Sequence, residues 1–117
     1  MRHYAIPSGR IRVIYTGVDT SRFNPEVISM LRPEGRNRVG LGEEELVILF
    51  IGSGFKRKGL KFLLEALAGV NLSFKLIVAG KGGIGCYRSF AEARGLKDKV
   101  KFLGLVKEVD YLYAASD

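Results

Sequence analysis

The residues best suited to chemistry lie in one run, GSGFKRKG, at positions 52–59. Gly52 and Gly54 free the backbone to approach a ligand, and Ser53 adds a small polar group. Arg57 and Lys58 add positive charge just before an amphipathic stretch that starts at Leu60. An unbroken apolar stretch, Leu46–Ile51, precedes the run. The context is therefore a buried strand, a glycine-rich turn and a helix N-terminus, where unpaired N–H groups and the positive end of the helix dipole favour an anion. Three successive cations at 56–58 oppose that dipole by about 0.3–1 kcal/mol each, which a bound anion would offset. A phosphate or diphosphate is the simplest such ligand. The run is not a Walker A loop, because Arg57 and Gly59 stand where Gly and a hydroxyl residue are required.

A second turn, Gly80–Gly85, fits G-x-G-x-x-G between a strand and a helix. Gly80 and Gly82 are its first two glycines. The dinucleotide fingerprint also needs an acid at the end of the next strand to hold a ribose. That strand ends in Leu103-Gly104-Leu105 with no acid, which counts against NAD binding and leaves that alternative resting on the glycine spacing alone. A third turn, Gly104-Leu105-Val106, should open on the same edge, since ligands of open α/β sheets lie at the carboxyl ends of the strands. Carboxylates at Glu65, Glu92 and Asp98 form no evident catalytic set. His3 is the only histidine and Cys86 the only cysteine, which argues against a structural zinc site and a Ser-His-Asp triad. Cys86 reads as a packing or surface residue in a reducing compartment.

The elements that must position these turns follow from hydrophobic periodicity. Leu46–Ile51 lacks alternation and should be buried on both faces, as in a parallel sheet. Leu60, Leu63, Leu64, Leu67 and Ala68 mark one face of a helix. Phe74–Ala79 is a second strand, Cys86–Arg94 a helix stopped by Gly95, and Val100–Leu103 a third strand. Lys107–Ala115 is a third helix with Val109, Leu112 and Tyr113 inward. The order β-α-β-α-β-α gives an α/β fold, a Rossmann-like parallel sheet. Upstream, residues 1–10 read as a lead-in and Arg12–Tyr15 as a short strand. Residues 17–42, rich in Gly, Pro, Asn and Arg, read as a long connection with at most a helical turn near Val27–Leu31.

Composition sets the outer bounds. The 117 residues are 47% hydrophobic, enough for one small core, and the longest apolar run is six residues, far short of a membrane span. No secretory leader is visible in the first residues. The net charge of +7 admits polyanionic partners. No arginine-rich tract or RNP-type motif supports nucleic-acid binding. A non-catalytic basic module for anions or membranes remains an alternative. The charge also admits peripheral association of a parent protein with a membrane, but no amphipathic anchor stands out.

Together these residues resemble the nucleotide-sugar-binding half of the retaining GT-B glycosyltransferases of group 1. RVIYTGVDTSRFNP is similar to the family's V-I-x-N-G-V-D-x-x-x-F-x-P segment, with Gly17, Val18, Asp19, Phe23 and Pro25 in place and Thr16 where Asn is usual. VILFIGSGFKRKGLKFLLEAL looks like the first strand, phosphate loop and helix. LIVAGKGG and VKFLGLVKEVDYLYAASD look like the next two units. Many members carry G-R-L at the first loop, with that Arg on the donor diphosphate; Ser53 fills the place here. The variant with Arg57-Lys58-Gly59 is similar to bacterial lipopolysaccharide core glucosyltransferases.

The resemblance implies that Arg57 and Lys58 stabilise the departing nucleoside diphosphate, that Gly52, Ser53, Gly54, Gly80 and Gly82 bring the loops to the donor, and that Leu105 and Val106 border the base. The donor implied is UDP-sugar or another nucleoside diphosphate sugar, with no further cofactor and no metal. The acceptor would be a glycan or a lipid-linked glycan. Residues 1–42 are then an interdomain lead-in, and 43–117 part of the C-terminal donor domain. The acceptor domain is expected before Met1, and an E-x7-E segment that contacts the sugar after Asp117. The chain alone is expected to be inactive, and the parent cytoplasmic or peripheral on the inner membrane face.

Overall fold

The structure is a computed structural model that describes residues 6–117. His3 lies outside the described residues. A single 3-10 turn, Ser8–Arg10, is followed by an extended segment, exposed over residues 9–22. Arg12–Tyr15, expected as a short strand, pairs with nothing and forms none. This lead-in raises the radius of gyration to 18.1 Å, against about 13 Å for a compact chain of this length.

The first helix, α1 (Pro25–Val39), corrects the reading of 17–42 as a connection with one helical turn. Its ends are well signalled. Asn24 caps it by accepting a hydrogen bond from the Val27 amide at 2.9 Å, Pro25 opens it, and Gly40 closes it at φ +68°. Its interior contains Pro33 and Gly35, both poor helix residues. Packing decides the outcome: α1 lies along the last helix, and Gly35 meets it backbone to backbone.

The remaining elements are β1 (Val47–Ile51), α2 (Leu60–Ala68), β2 (Lys75–Ala79), α3 (Ile84–Glu92), β3 (Val100–Gly104) and α4 (Val109–Ala115). The expected β-α-β-α-β-α order is present. Two helices differ in their bounds: α3 starts and ends two residues earlier than expected, and α4 is shorter, starting after Lys107. The strands form one parallel sheet in the order β1-β2-β3, with Val47 opposite Lys75 and Leu76 opposite Val100. Side chains of β2 alternate between two cores. Leu76 and Val78 pack with Leu60, Leu64 and Leu67 of α2 and Ala91 of α3. Ile77 and Ala79 pack on the opposite face with Val39 of α1 and Leu112 and Ala115 of α4. Only the central strand is buried on both faces. β1 lies at a sheet edge and stays half-buried beyond Val47. Ala68 and Tyr113, expected inward, are exposed, because each lies just past the flank of its helix that meets the core.

Candidate functional site

The three glycine-bearing turns lie side by side at the carboxyl edge of the sheet, joined by backbone hydrogen bonds. The Gly52 amide donates to the Ala79 carbonyl at 3.0 Å, the Gly54 amide to the Lys81 carbonyl at 2.9 Å, and the Gly80 amide to the Gly104 carbonyl at 2.7 Å. One rim therefore carries all the turns singled out above.

The first turn is held from below. Phe55 is buried at 2% exposure, with its ring edge-on to Phe50 and Tyr87 at 6.0 and 5.6 Å. Around it the chain makes one helix-like turn: the Lys58 amide donates to the Gly54 carbonyl, and the Leu60 amide to the Phe55 carbonyl. Gly54 and Gly59 take left-handed φ of +74° and +78°, which permits this path without strain. Ser53, Lys56, Arg57 and Lys58 consequently point to solvent while Phe55 points inward. The Lys58 stem folds back over the end of β1, with its carbons 3.3–3.5 Å from where a Gly52 Cβ would stand. The Arg57 Nε lies 4.0 Å from the equivalent point of Gly54. Among the described residues no carboxylate pairs with Arg57 or Lys58.

The second turn fits tightly against the first. A Cβ on Gly80 would collide with the Gly52 backbone, and one on Gly82 would enter the Phe55 ring. These glycines bring loop to loop, a reason that spacing alone did not supply. Gly83 and Gly85 have open space around them. The third fingerprint glycine thus makes no close helix–strand contact, and the NAD reading loses the packing it requires.

At the third turn, Leu105 and Val106 line a groove of about 350 Å3 with Gly35, Arg38, Tyr111 and Glu108. Arg38 stacks 3.6 Å above the Tyr111 ring and pairs with Glu34 at 2.7 Å and Glu108 at 3.0 Å. The hydrogen bond that Arg38 donates to Glu34 leads the contacts that raise the Arg38 pKa and keep it charged. Arg38 is not legible from local sequence, because Pro33 and Gly35 give its segment the composition of a loop; the Glu34–Arg38 spacing of one helical turn is the available signal. No residue of 52–59 lines this groove. The predicted residues therefore form two parts of one rim: Gly52, Ser53, Gly54, Arg57, Lys58, Gly80 and Gly82 together, and Leu105 and Val106 beside them. Glu65 serves Lys61 and Arg94 at 3.8 and 3.5 Å. Among the described residues no His, Cys, Asp and Glu group could hold a metal.

The chain is similar to the lipopolysaccharide glucosyltransferase WaaG of Escherichia coli K12, at 30% identity over 120 residues, covering 99% of this chain and 32% of WaaG. An uncharacterized glycosyltransferase of Methanocaldococcus jannaschii is 28% identical over 116 residues, covering 95% and 30% of the two chains. The crystal structure of WaaG, described as a glycosyltransferase involved in lipopolysaccharide biosynthesis, matches with a TM-score of 0.88 at 29% identity, over 99% of this chain and 32% of that one. HepE of Anabaena, solved in complex with UDP-glucose, matches with a TM-score of 0.73 at 28% identity, over 91% and 30%. The chain spans about a third of the length of these relatives, and its three-stranded unit matches part of the GT-B fold of WaaG. Residues 32–117 match the profile of the family described as "Glycosyl transferases group 1". From α1 to Asp117, then, both the sequence and the fold place this chain in the group 1 glycosyl transferases.

Proposed function

We propose that this chain supplies the donor site of a hexosyltransferase, which moves a hexose from a nucleoside diphosphate sugar to a glycan or lipid-linked acceptor. The observation that carries the reading is the unpaired Arg57–Lys58 couple above two glycine turns that are hydrogen-bonded into one rim. Residues 52–64 and 79–91 contain no acid, so nothing local competes for those cations. The complex of HepE with UDP-glucose supports a UDP-sugar as the donor.

In this reading the glycine turns admit the diphosphate, and the N-terminus of α2 faces it. As the bond from sugar to phosphate breaks, charge builds on the leaving diphosphate, and Arg57 and Lys58 stabilise that charge where it develops. Leu105 and Val106 border the base in the groove that Arg38 and Tyr111 complete. Acceptor recognition and the rest of the sugar site are assigned to the whole protein. The 117-residue chain is expected to bind donor without turning it over.

Titrating UDP and UDP-glucose into wild type and Lys58→Ala, followed by chemical-shift changes, tests the proposal. Shifts at Gly52–Gly59 and Gly80–Gly82 are expected, with affinity at least about tenfold weaker in the variant. Shifts confined to α4 and the lead-in segment would refute it.

A further inference from the structure

Backbone hydrogen bonds fix the order of the three turns along the rim, and the second turn is the middle one. Its Lys81 carbonyl accepts from the Gly54 amide of the first turn at 2.9 Å, and its Gly80 amide donates to the Gly104 carbonyl of the third at 2.7 Å. Arg57 and Lys58 stand on the first turn, while Leu105 and Val106 line the groove at the third. A nucleotide with its base in that groove and its outer phosphate at the first turn lays its inner phosphate over the second. The side chain available there is Lys81, because Gly80, Gly82 and Gly83 around it carry none.

Lys81 is exposed, and among the described residues no carboxylate pairs with it. Glu108, the acid that lines the third-turn groove, is already taken by Arg38 at 3.0 Å. The backbone on either side of Lys81 is pinned: Gly80 presses on the Gly52 backbone, and Gly82 on the Phe55 ring. The ammonium therefore swings from a fixed point, a compact point charge on a flexible stem.

We infer that Lys81 binds the donor phosphate next to the nucleoside, while Arg57 and Lys58 hold the one that carries the sugar. The inference rests on the donor reading and adds a residue to it. The two positions differ in their work. Charge develops on the sugar-bearing phosphate as the sugar departs, so Arg57 and Lys58 act on the bond-breaking step. The inner phosphate keeps its charge throughout, so Lys81 contributes to holding the donor.

Calorimetric titration of uridine, UMP and UDP into wild type, Lys81→Ala, Lys81→Arg and Lys58→Ala tests this division. Lys81→Ala should weaken UMP and UDP alike, by about fivefold or more. Lys81→Arg keeps the charge and should recover most of that loss. Lys58→Ala should weaken UDP and leave UMP near its wild-type affinity. Uridine binding and the thermal midpoint should stay unchanged in all three variants, since the substituted side chains are exposed. Wild-type affinity for UMP in Lys81→Ala would overturn the inference and leave the donor reading standing. An equal loss for uridine would also overturn it, because a turn that had merely shifted would weaken the uncharged ligand too. Failure of wild type to bind either nucleotide would sink the donor reading and this inference together.

Discussion

Gly80 and Gly52 are pressed together so closely that a single methyl group on Gly80 would overlap the Gly52 carbonyl. The φ of Gly80, +132°, is a second reason that only glycine fits. The neighbouring bond from the Gly52 amide to Ala79 fixes the two turns in register. Loop geometry at this rim is thus set by backbone contact between the turns. Gly80→Ala should therefore push the first loop outward. We expect a stability loss of about 1–3 kcal/mol by chemical denaturation, together with weaker UDP binding by calorimetry. Retained affinity at reduced stability would show that the loop spacing is structural only.

Gly82 offers a cleaner probe, because its obstacle is a side chain. An added Cβ would enter the Phe55 ring. Gly82→Ala should destabilise the chain, and Phe55→Leu, which removes the ring, should cost stability by itself. The double variant should lose less than the two single losses combined. A double-mutant cycle on the thermal midpoint reads this coupling, expected between about 0.5 and 3 kcal/mol. Simple additivity would mean that Phe55 turns aside freely and does not clamp the loop.

Arg57 and Lys58 are exposed and unpaired, so their loss should touch binding and spare the fold. Each alanine variant should weaken UDP by about tenfold or more, as charge-assisted hydrogen bonds do. Stability should change by less than about 0.5 kcal/mol. Added salt should weaken UDP binding by wild type more than by the double variant, since screening acts on charges still present. A salt response unchanged by removing both cations would place the diphosphate elsewhere.

Hydrophobic periodicity made the sheet and its helices legible. β2 reads as a strand because Leu76–Ala79 must face two cores at once, and α2 because Leu60, Leu64 and Leu67 share a face. The three turns were legible because glycines at strand ends have few other uses. α1 was not legible. Pro33 and Gly35 argue locally against a helix, and only the tertiary setting reverses them. Gly35 is needed where α1 crosses α4, with the Ala115 amide 3.3 Å from where its Cβ would stand. Arg36, which reads as a surface charge, is buried at 2% exposure by a partner 81 positions away. The part of the site that depends on α1, Arg38 over Tyr111 beside Val106, was hidden for the same reason.

That account of α1 predicts a clash at the crossing. Gly35→Ala should unseat α1 from α4 and lower the thermal midpoint sharply, since the obstacle is backbone and cannot turn aside. Hydrogen exchange should rise across Pro25–Val39 and Val109–Ala115 and stay slow in β2. An unchanged midpoint would mean that the helices separate without cost.

Asp117 ties the second core together and should set its acid sensitivity. Its carboxylate accepts from the Val47 amide at 2.8 Å, pairs with Arg36 at 2.9 Å, and pairs with Arg32. Arg36 also donates to the carbonyls of Gly42 and Glu43. The Val47 hydrogen bond, followed by the Arg32 and Arg36 charges, lowers the Asp117 pKa below its ordinary 3.8. A carboxyl with a lowered folded pKa contributes stability above the unfolded value, and that contribution fades as pH falls toward the folded one. Asp117→Asn should lower the midpoint at neutral pH and flatten its fall below about pH 5. Arg36→Met should cost about 3 kcal/mol or more, because it strips the buried carbonyls and the carboxylate of their donor, and it should shrink the same acid slope. Thermal midpoints of the three proteins from neutral pH into the acid range decide the matter. Parallel slopes would assign the acid sensitivity to a carboxylate other than Asp117.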